Sequence, residues 1–234
     1  MFALQSDGCF RDNRRVLPQL IVDKSSSRQC LPKHLPVPFL KTLTLFFLIP
    51  ESVLRSSLFI LISLILLWVS RRPLRNFRSH GFYRFFAFEG VLALVLINQP
   101  YWFDEPFSLR QLLSWTLLIC SVGFVIHGVQ LLRIVGGRGD RQDMPENLPF
   151  ENTVKLVKVG LYRFIRHPMY ASLLLLAWGA FLKNPVPLTV ALTAATTLFL
   201  VVTAKVEERE NLHFFGDQYQ DYCRRSKMFI PFVF

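Results

Sequence analysis

Residues 160–179 read GLYRFIRHPMYASLLLLAWG, and their reading decides the fold. A cationic run ending in Arg166-His167 stops at Pro168 and passes straight into apolar residues. Pro168 suits the first position of a helix, where a missing N–H costs nothing. Two readings open from there. One is a positive loop flanking a membrane helix. The other is a helix start whose free N–H groups and nearby cations receive an anionic ligand.

Composition favours a membrane setting. The 234-residue chain is 52% hydrophobic and 14% aromatic, with only 18% charged residues, against about 25% charged in soluble domains. The formal net charge of +11 comes from basic residues in loops between apolar segments. Such loops orient membrane proteins and meet anionic lipid heads. No basic helix or recognised module supports nucleic-acid binding. Cys9, Cys30, Cys120 and Cys223 form no C-x-x-C pair, which argues against a zinc site or a disulfide framework.

Residues 1–50 read as an N-terminal extension, disordered or interfacial: 1–39 show no clear period, and LKTLTLFFLIP (40–50) is too short to span. Five spans follow, at Val53–Ser70, Phe85–Phe103, Gln111–Leu132, Met169–Lys183 and Leu188–Val206. The expected architecture is therefore all-α and polytopic, with about five transmembrane helices, the last two a hairpin turned by KNPVP (183–187). Residues 71–84 carry Arg71, Arg72, Arg75, Arg78 and Arg84 without an acid, and 133–168 carry seven Lys/Arg. The intervening YWFDEPFSL (101–109) carries only acids. The positive-inside rule then places both basic loops and the C-terminal segment in the cytoplasm. It leaves seven Lys/Arg of the extension outside, against the same rule.

A hairpin brings its open ends to one face. RHPMY (166–170) then meets KVEERENLHFFGDQYQDY (205–222), so His167 and Glu207 become neighbours although forty residues apart. The N–H groups from Met169 onward lack intrahelical partners and suit a carboxylate or phosphate. Tyr162 and Tyr170 offer aromatic faces to a flat base or a cation. Glu207 and Glu208 can accept from hydroxyl or amino groups. A zwitterionic, hydroxyl-bearing sulfonium such as S-adenosylmethionine matches each part. The plainer reading is a positive flank, interfacial tyrosines and a solvated helix end.

LVKVGLYRFIRHPMY (156–170), the proline-turned hairpin, EERENLHFFGDQYQDY (207–222) and the terminal FIP (229–231) together resemble the isoprenylcysteine carboxyl methyltransferase and phospholipid methyltransferase superfamily. The resemblance is strong over about 150–234; the first three spans match only in number and placement. It implies an integral-membrane methyltransferase domain over 51–234, with the cofactor-binding part at about 150–234. S-adenosylmethionine would bind in a cytosol-facing pocket, and a lipophilic acceptor, a prenylated cysteine or a lipid, would reach it from the bilayer. By position the resemblance implies donor-binding roles for Val154, Lys155, Leu156, Val157, Tyr162, His167, Pro168, Met169, Tyr170 and Glu207. It implies no metal.

One departure bears on the acceptor. Isoprenylcysteine enzymes resemble one another in an arginine four residues before that glutamate, where it meets the acceptor carboxylate; here Thr203 stands there. Lys205 and Arg209 are out of register, which favours an amine or another lipid acceptor. An amine must lose a proton before it attacks, and Glu208 and His213 are the candidate bases. His127 reads as a packing residue and Glu89 as an intramembrane ionisable group one turn from the cytoplasm. GGRG (136–139) reads as a flexible loop. Two other classes remain open: an NADPH-dependent membrane reductase with a similar hairpin, and a non-catalytic membrane scaffold.

Overall fold

The computed structural model describes residues 50–137 and 154–231. Most of the N-terminal extension and part of GGRG therefore lie outside the described residues. Among the described residues, six α-helices follow in order: α1 (Glu51–Val69), α2 (His80–Asn98), α3 (Leu109–Val135), α4 (Pro168–Phe181), α5 (Pro187–Phe215) and α6 (Asp217–Arg225). Among the described residues the strand content is a single parallel bridge, Ile165 to Lys227. The all-α expectation holds.

Four helices, α1, α2, α3 and α5, are long and apolar enough to cross a membrane. The expected fourth span differs. α4 has 14 residues, about 21 Å at 1.5 Å per residue, against a hydrocarbon core of about 30 Å. Its far end is buried in protein, and its last carbonyls find partners on α2 and α3. Ser114 Oγ donates to Gly179 O at 2.7 Å and Asn98 Nδ2 to Ala180 O at 2.9 Å. Arg110 donates to Leu182 O and Lys183 O. The ammonium of Lys183, which is wholly buried, lies 3.8 Å from the Trp115 ring centroid and 2.8 Å from Gln111 Oε1. Two cations at a helix C-terminus also complement its dipole.

α5 errs the other way. Its 29 residues reach about 43 Å, so roughly nine project beyond a 30 Å core. The projecting end carries Glu207 to Phe215.

α5 packs along α2, α3 packs along α4, and α1 leans on α2. The seams use small residues, which let helices approach closely where lipid offers no hydrophobic drive. Ala87, Ala171 and Ala204 meet with Leu200, and Ala177 and Ala180 meet Val91 and Leu94. A Cβ on Gly90 would collide with Thr196 Oγ1, so glycine sets how closely α2 and α5 approach. α1 has no buried residue and exposes Ile60, Leu61, Leu64, Ile65 and Trp68, as a lipid-facing helix does.

The start of the second helix moves. α2 starts at His80, five residues before the expected Phe85, because Ser79 caps it by accepting from Gly81 N–H. Arg84 therefore leaves the basic loop and enters the helix. Glu89 lies in the third turn rather than the first, where its Oε2 accepts from Ser63 Oγ at 2.6 Å.

Candidate functional site

Pro168 at N1 starts α4, and Ala171 N–H closes the first intrahelical bond on His167 O. The N–H groups of Met169 and Tyr170 thus precede the helical ladder. What fixes this start is the chain's far end. Arg166 N–H donates to Lys227 O at 2.8 Å and His167 N–H to Met228 O at 3.2 Å, while Lys227 N–H returns to Phe164 O. Met228 and Phe229 bury their side chains alongside, which gives the phenylalanine of the FIP motif a structural role.

Across the hairpin the expected neighbours meet. His167 Nδ1 lies 3.9 Å from Glu207 Oε2, and His167 is 5% exposed. Its Nε2 lies 3.3 Å from Glu208 Oε1 but out of line for a hydrogen bond, and so is buried without such a partner. The imidazole stacks on Tyr170, with centroids 5.5 Å apart. Glu208 accepts from Arg166 Nε at 2.5 Å, and Arg166 also donates to Cys223 O and Ser226 O.

These groups wall a pocket of about 840 Å³, the open solvent at its mouth included. It is lined by Lys155, Leu156, Val157, Tyr162, His167, Pro168, Met169, Tyr170 and Glu207. Those are all the residues singled out by the resemblance except Val154, which is exposed nearby. Glu208 touches the wall through Arg166 and His167. His213 is exposed and away from the lining. His127 packs at Gly160, where a Cβ would lie 2.7 Å from its Nε2.

Sequence reasoning missed part of the wall. His80 enters from α2, its N–H donating to Glu210 Oε1 at 3.0 Å and its Nδ1 2.5 Å from Glu210 Oε2. Asn211, Phe215, Tyr219 and Tyr222 complete the lining. The Tyr222 hydroxyl donates to Tyr162 O at 2.6 Å, tying α6 to the loop before α4. Burial pushes the Tyr162, Tyr219 and Tyr222 phenols well above their usual range; Glu207 pushes the first two further. All three stay protonated as donors at neutral pH.

The fold and site define a class: a polytopic helical membrane protein with a polar pocket at one face, built mainly by its last hairpin and C-terminal segment. Compared with known proteins, residues 109–219 match the family model described as phospholipid methyltransferase. The chain is 38% identical over 71 residues to methanethiol S-methyltransferase 1 of Bradyrhizobium diazoefficiens, covering 30% of this chain and 24% of that one. It is 35% identical over 119 residues to a probable protein-S-isoprenylcysteine O-methyltransferase of Oryza sativa subsp. indica, covering 50% and 60%. The chain thus spans between a quarter and three fifths of these relatives' lengths. No solved structure matches.

Proposed function

We propose that the pocket takes S-adenosylmethionine and that the protein transfers its methyl group to a lipophilic acceptor arriving from the bilayer. The observation that carries this reading is Glu207 closing on His167 across the hairpin, inside a pocket with an open helix N-terminus. The residues fit the donor. Met169 and Tyr170 N–H groups suit its carboxylate, Glu207 suits hydroxyl or ammonium groups, and the rings of Tyr162 and Tyr219 suit the base. His167 Nε2, buried without a hydrogen-bond partner, adds a polar atom at the wall. When bound, the donor supplies a methyl carbon made electrophilic by positive sulfur.

The chain's own part is positioning, which supplies much of the acceleration of an in-line displacement. Glu207, Glu208 and Glu210 gather at this face and favour a cationic ligand. A general base is harder to find. Glu208 is held by Arg166 and His213 faces solvent, so an acceptor that attacks as an anion suits the site better than an amine. The named relatives act on methanethiol sulfur and isoprenylcysteine, whose reacting groups, thiol and carboxyl, both ionise to anions. The positive-inside rule puts the pocket on the cytosolic face, with the methyltransferase unit beginning near residue 51.

Calorimetry on detergent-purified protein tests this. Wild type should bind S-adenosylmethionine saturably, and Glu207→Ala should weaken it tenfold to a hundredfold, about 1.4–3 kcal/mol. His167→Ala should have a smaller effect. A folded wild type that ignores S-adenosylmethionine but binds NADPH would replace this reading with a reductase.

A further inference from the structure

We propose that a groove at the far end of α1 and α2 holds a zwitterionic phospholipid, its phosphate on Arg55 and one acyl chain between the helices. This lipid resides in the leaflet opposite the pocket and is not a methyl acceptor. Pro100 of the groove lies twenty residues, about 30 Å, from His80 of the pocket wall. The site is therefore independent of the methyl-transfer reading.

Register builds the groove. Ser63 Oγ donates to Glu89 Oε2 at 2.6 Å and sets the level of α1 against the antiparallel α2. Counting outward from that bond, Phe59 comes level with Ala93, Ser56 with Leu96 and Ser52 with Pro100. The small Ala93 leaves room in the seam, and Phe59, Ile60, Leu96 and Ile97 supply hydrocarbon walls. The space amounts to about 1070 Å³, open solvent included. Its mouth is polar, with Ser52, Arg55, Ser56 and Tyr101. Arg55 stands about 6 Å inside the start of α1 and about 12 Å outward from Ser63. Because the 19 residues of α1 reach about 28 Å, this is the depth where hydrocarbon gives way to headgroups.

Arg55 lacks a counter-charge. It is half-buried, and among the described residues it forms no ion pair or hydrogen bond, although Glu51 precedes it by one turn. The positive-inside rule gives no reason for an arginine at this end, and a half-buried cation at the hydrocarbon edge calls for an anion. Phosphate suits it, since the guanidinium fork takes two phosphate oxygens at once. Ser56 donates its own hydroxyl to Ser52 O at 2.9 Å, which leaves the Ser52 and Tyr101 hydroxyls as neutral donors at the mouth. The surroundings decide the headgroup's net charge. Glu51, Asp104 and Glu105 are exposed at this end; they repel an anionic headgroup and welcome the cationic nitrogen of a zwitterion. α1 buries no residue and packs on α2, so a lipid in the seam adds contact that α1 otherwise lacks.

Phosphatidylcholine is the probe, because its fully substituted nitrogen cannot be methylated and binding is not confused with turnover. Delipidated protein in dodecylmaltoside is offered dioleoylphosphatidylcholine, dioleoylphosphatidylglycerol or dioleoylglycerol, and native mass spectrometry counts the lipid retained. Wild type should keep one phosphatidylcholine in preference to phosphatidylglycerol, keep no dioleoylglycerol, and unfold at a higher temperature with the lipid bound. Arg55→Gln should cut retention about tenfold, as loss of a charge-assisted contact predicts, and abolish the thermal shift. Arg55→Lys should keep part of both. Ala93→Phe, which fills the groove and leaves Arg55 in place, should also expel the lipid. Lipid-free unfolding midpoints near that of wild type show that each variant folds. Equal retention by wild type, Arg55→Gln and Ala93→Phe would mean annular lipid only and overturn the proposal. So would equal binding of dioleoylglycerol, or a preference for phosphatidylglycerol. A wild type that retains no lipid but dimerises, with Ala93→Phe monomeric, would give the groove to a second copy of the chain.

Discussion

Gly160 holds φ at +59° at the start of the short 3-10 turn (Gly160–Arg163) that presents Tyr162. A side chain pays there twice. L-residues lose roughly 1–2 kcal/mol in the left-handed region, and a Cβ would lie 2.6 Å from Leu131 Cδ1 and 2.7 Å from His127 Nε2. Gly160→Ala should therefore lower stability by at least about 1–2 kcal/mol, read as a drop in thermal-unfolding midpoint. It should also weaken donor binding several-fold by displacing Tyr162. An unchanged donor affinity would mean that this turn adapts freely. At this scale the sequence was legible where topology did the work. His167 and Glu207 had to meet once a hairpin was read. Arg84 and His80 escaped because arginines in series look like one basic loop. The signal was nonetheless present: His80, Arg84, Ala87, Val91, Leu94 and Asn98 are all buried and recur at helical spacing. Ser79 before them is an ordinary N-cap.

Among the elements, α4 matches its expected extent closely, Pro168–Phe181 against Met169–Lys183, but whether it spans is the point hydropathy leaves open. Its apolar run looked like a span because apolar residues facing lipid and apolar residues facing protein read alike. The difference lies in what receives its last carbonyls, and those partners, Asn98, Arg110 and Ser114, are distant in sequence. Asn98 is fully buried, so no water replaces its amide. Asn98→Ala should leave Ala180 O short of a donor and destabilise the protein by about 1–3 kcal/mol. Donor affinity should stay within twofold of wild type, since this end of α4 is remote from the pocket. Unfolding in dodecylmaltoside, followed by tryptophan fluorescence, would read the first effect and calorimetry the second. A loss of donor affinity equal to that of Gly160→Ala would show that α4 transmits its far end to the site.

Over the whole molecule, charge separates by face. The pocket end carries Arg71, Arg72, Arg75, Arg78, Arg163, Lys205, Arg209, Arg224, Arg225 and Lys227, all exposed. The opposite end exposes Asp104, Glu105 and Glu51; of its cations, Arg110 and Lys183 are turned to backbone and ring partners, and Arg55 is half-buried in a groove with Pro100 and Tyr101. Short basic loops stay in the cytoplasm, and acids contribute little to that rule. The pocket should accordingly face the cytoplasm, where anionic lipid heads also attract the exposed cations. Single cysteines in a background with Cys9, Cys30, Cys120 and Cys223 removed test this directly. Phe103→Cys, at a position 77% exposed in the α2–α3 connection, should react with an impermeant maleimide on intact cells. Arg225→Cys, exposed at the end of α6, should react only after permeabilisation. The reverse pattern would place the pocket outside the cell, away from the cytosolic S-adenosylmethionine that the proposed reaction consumes. One labelling gel thus bears on both topology and chemistry.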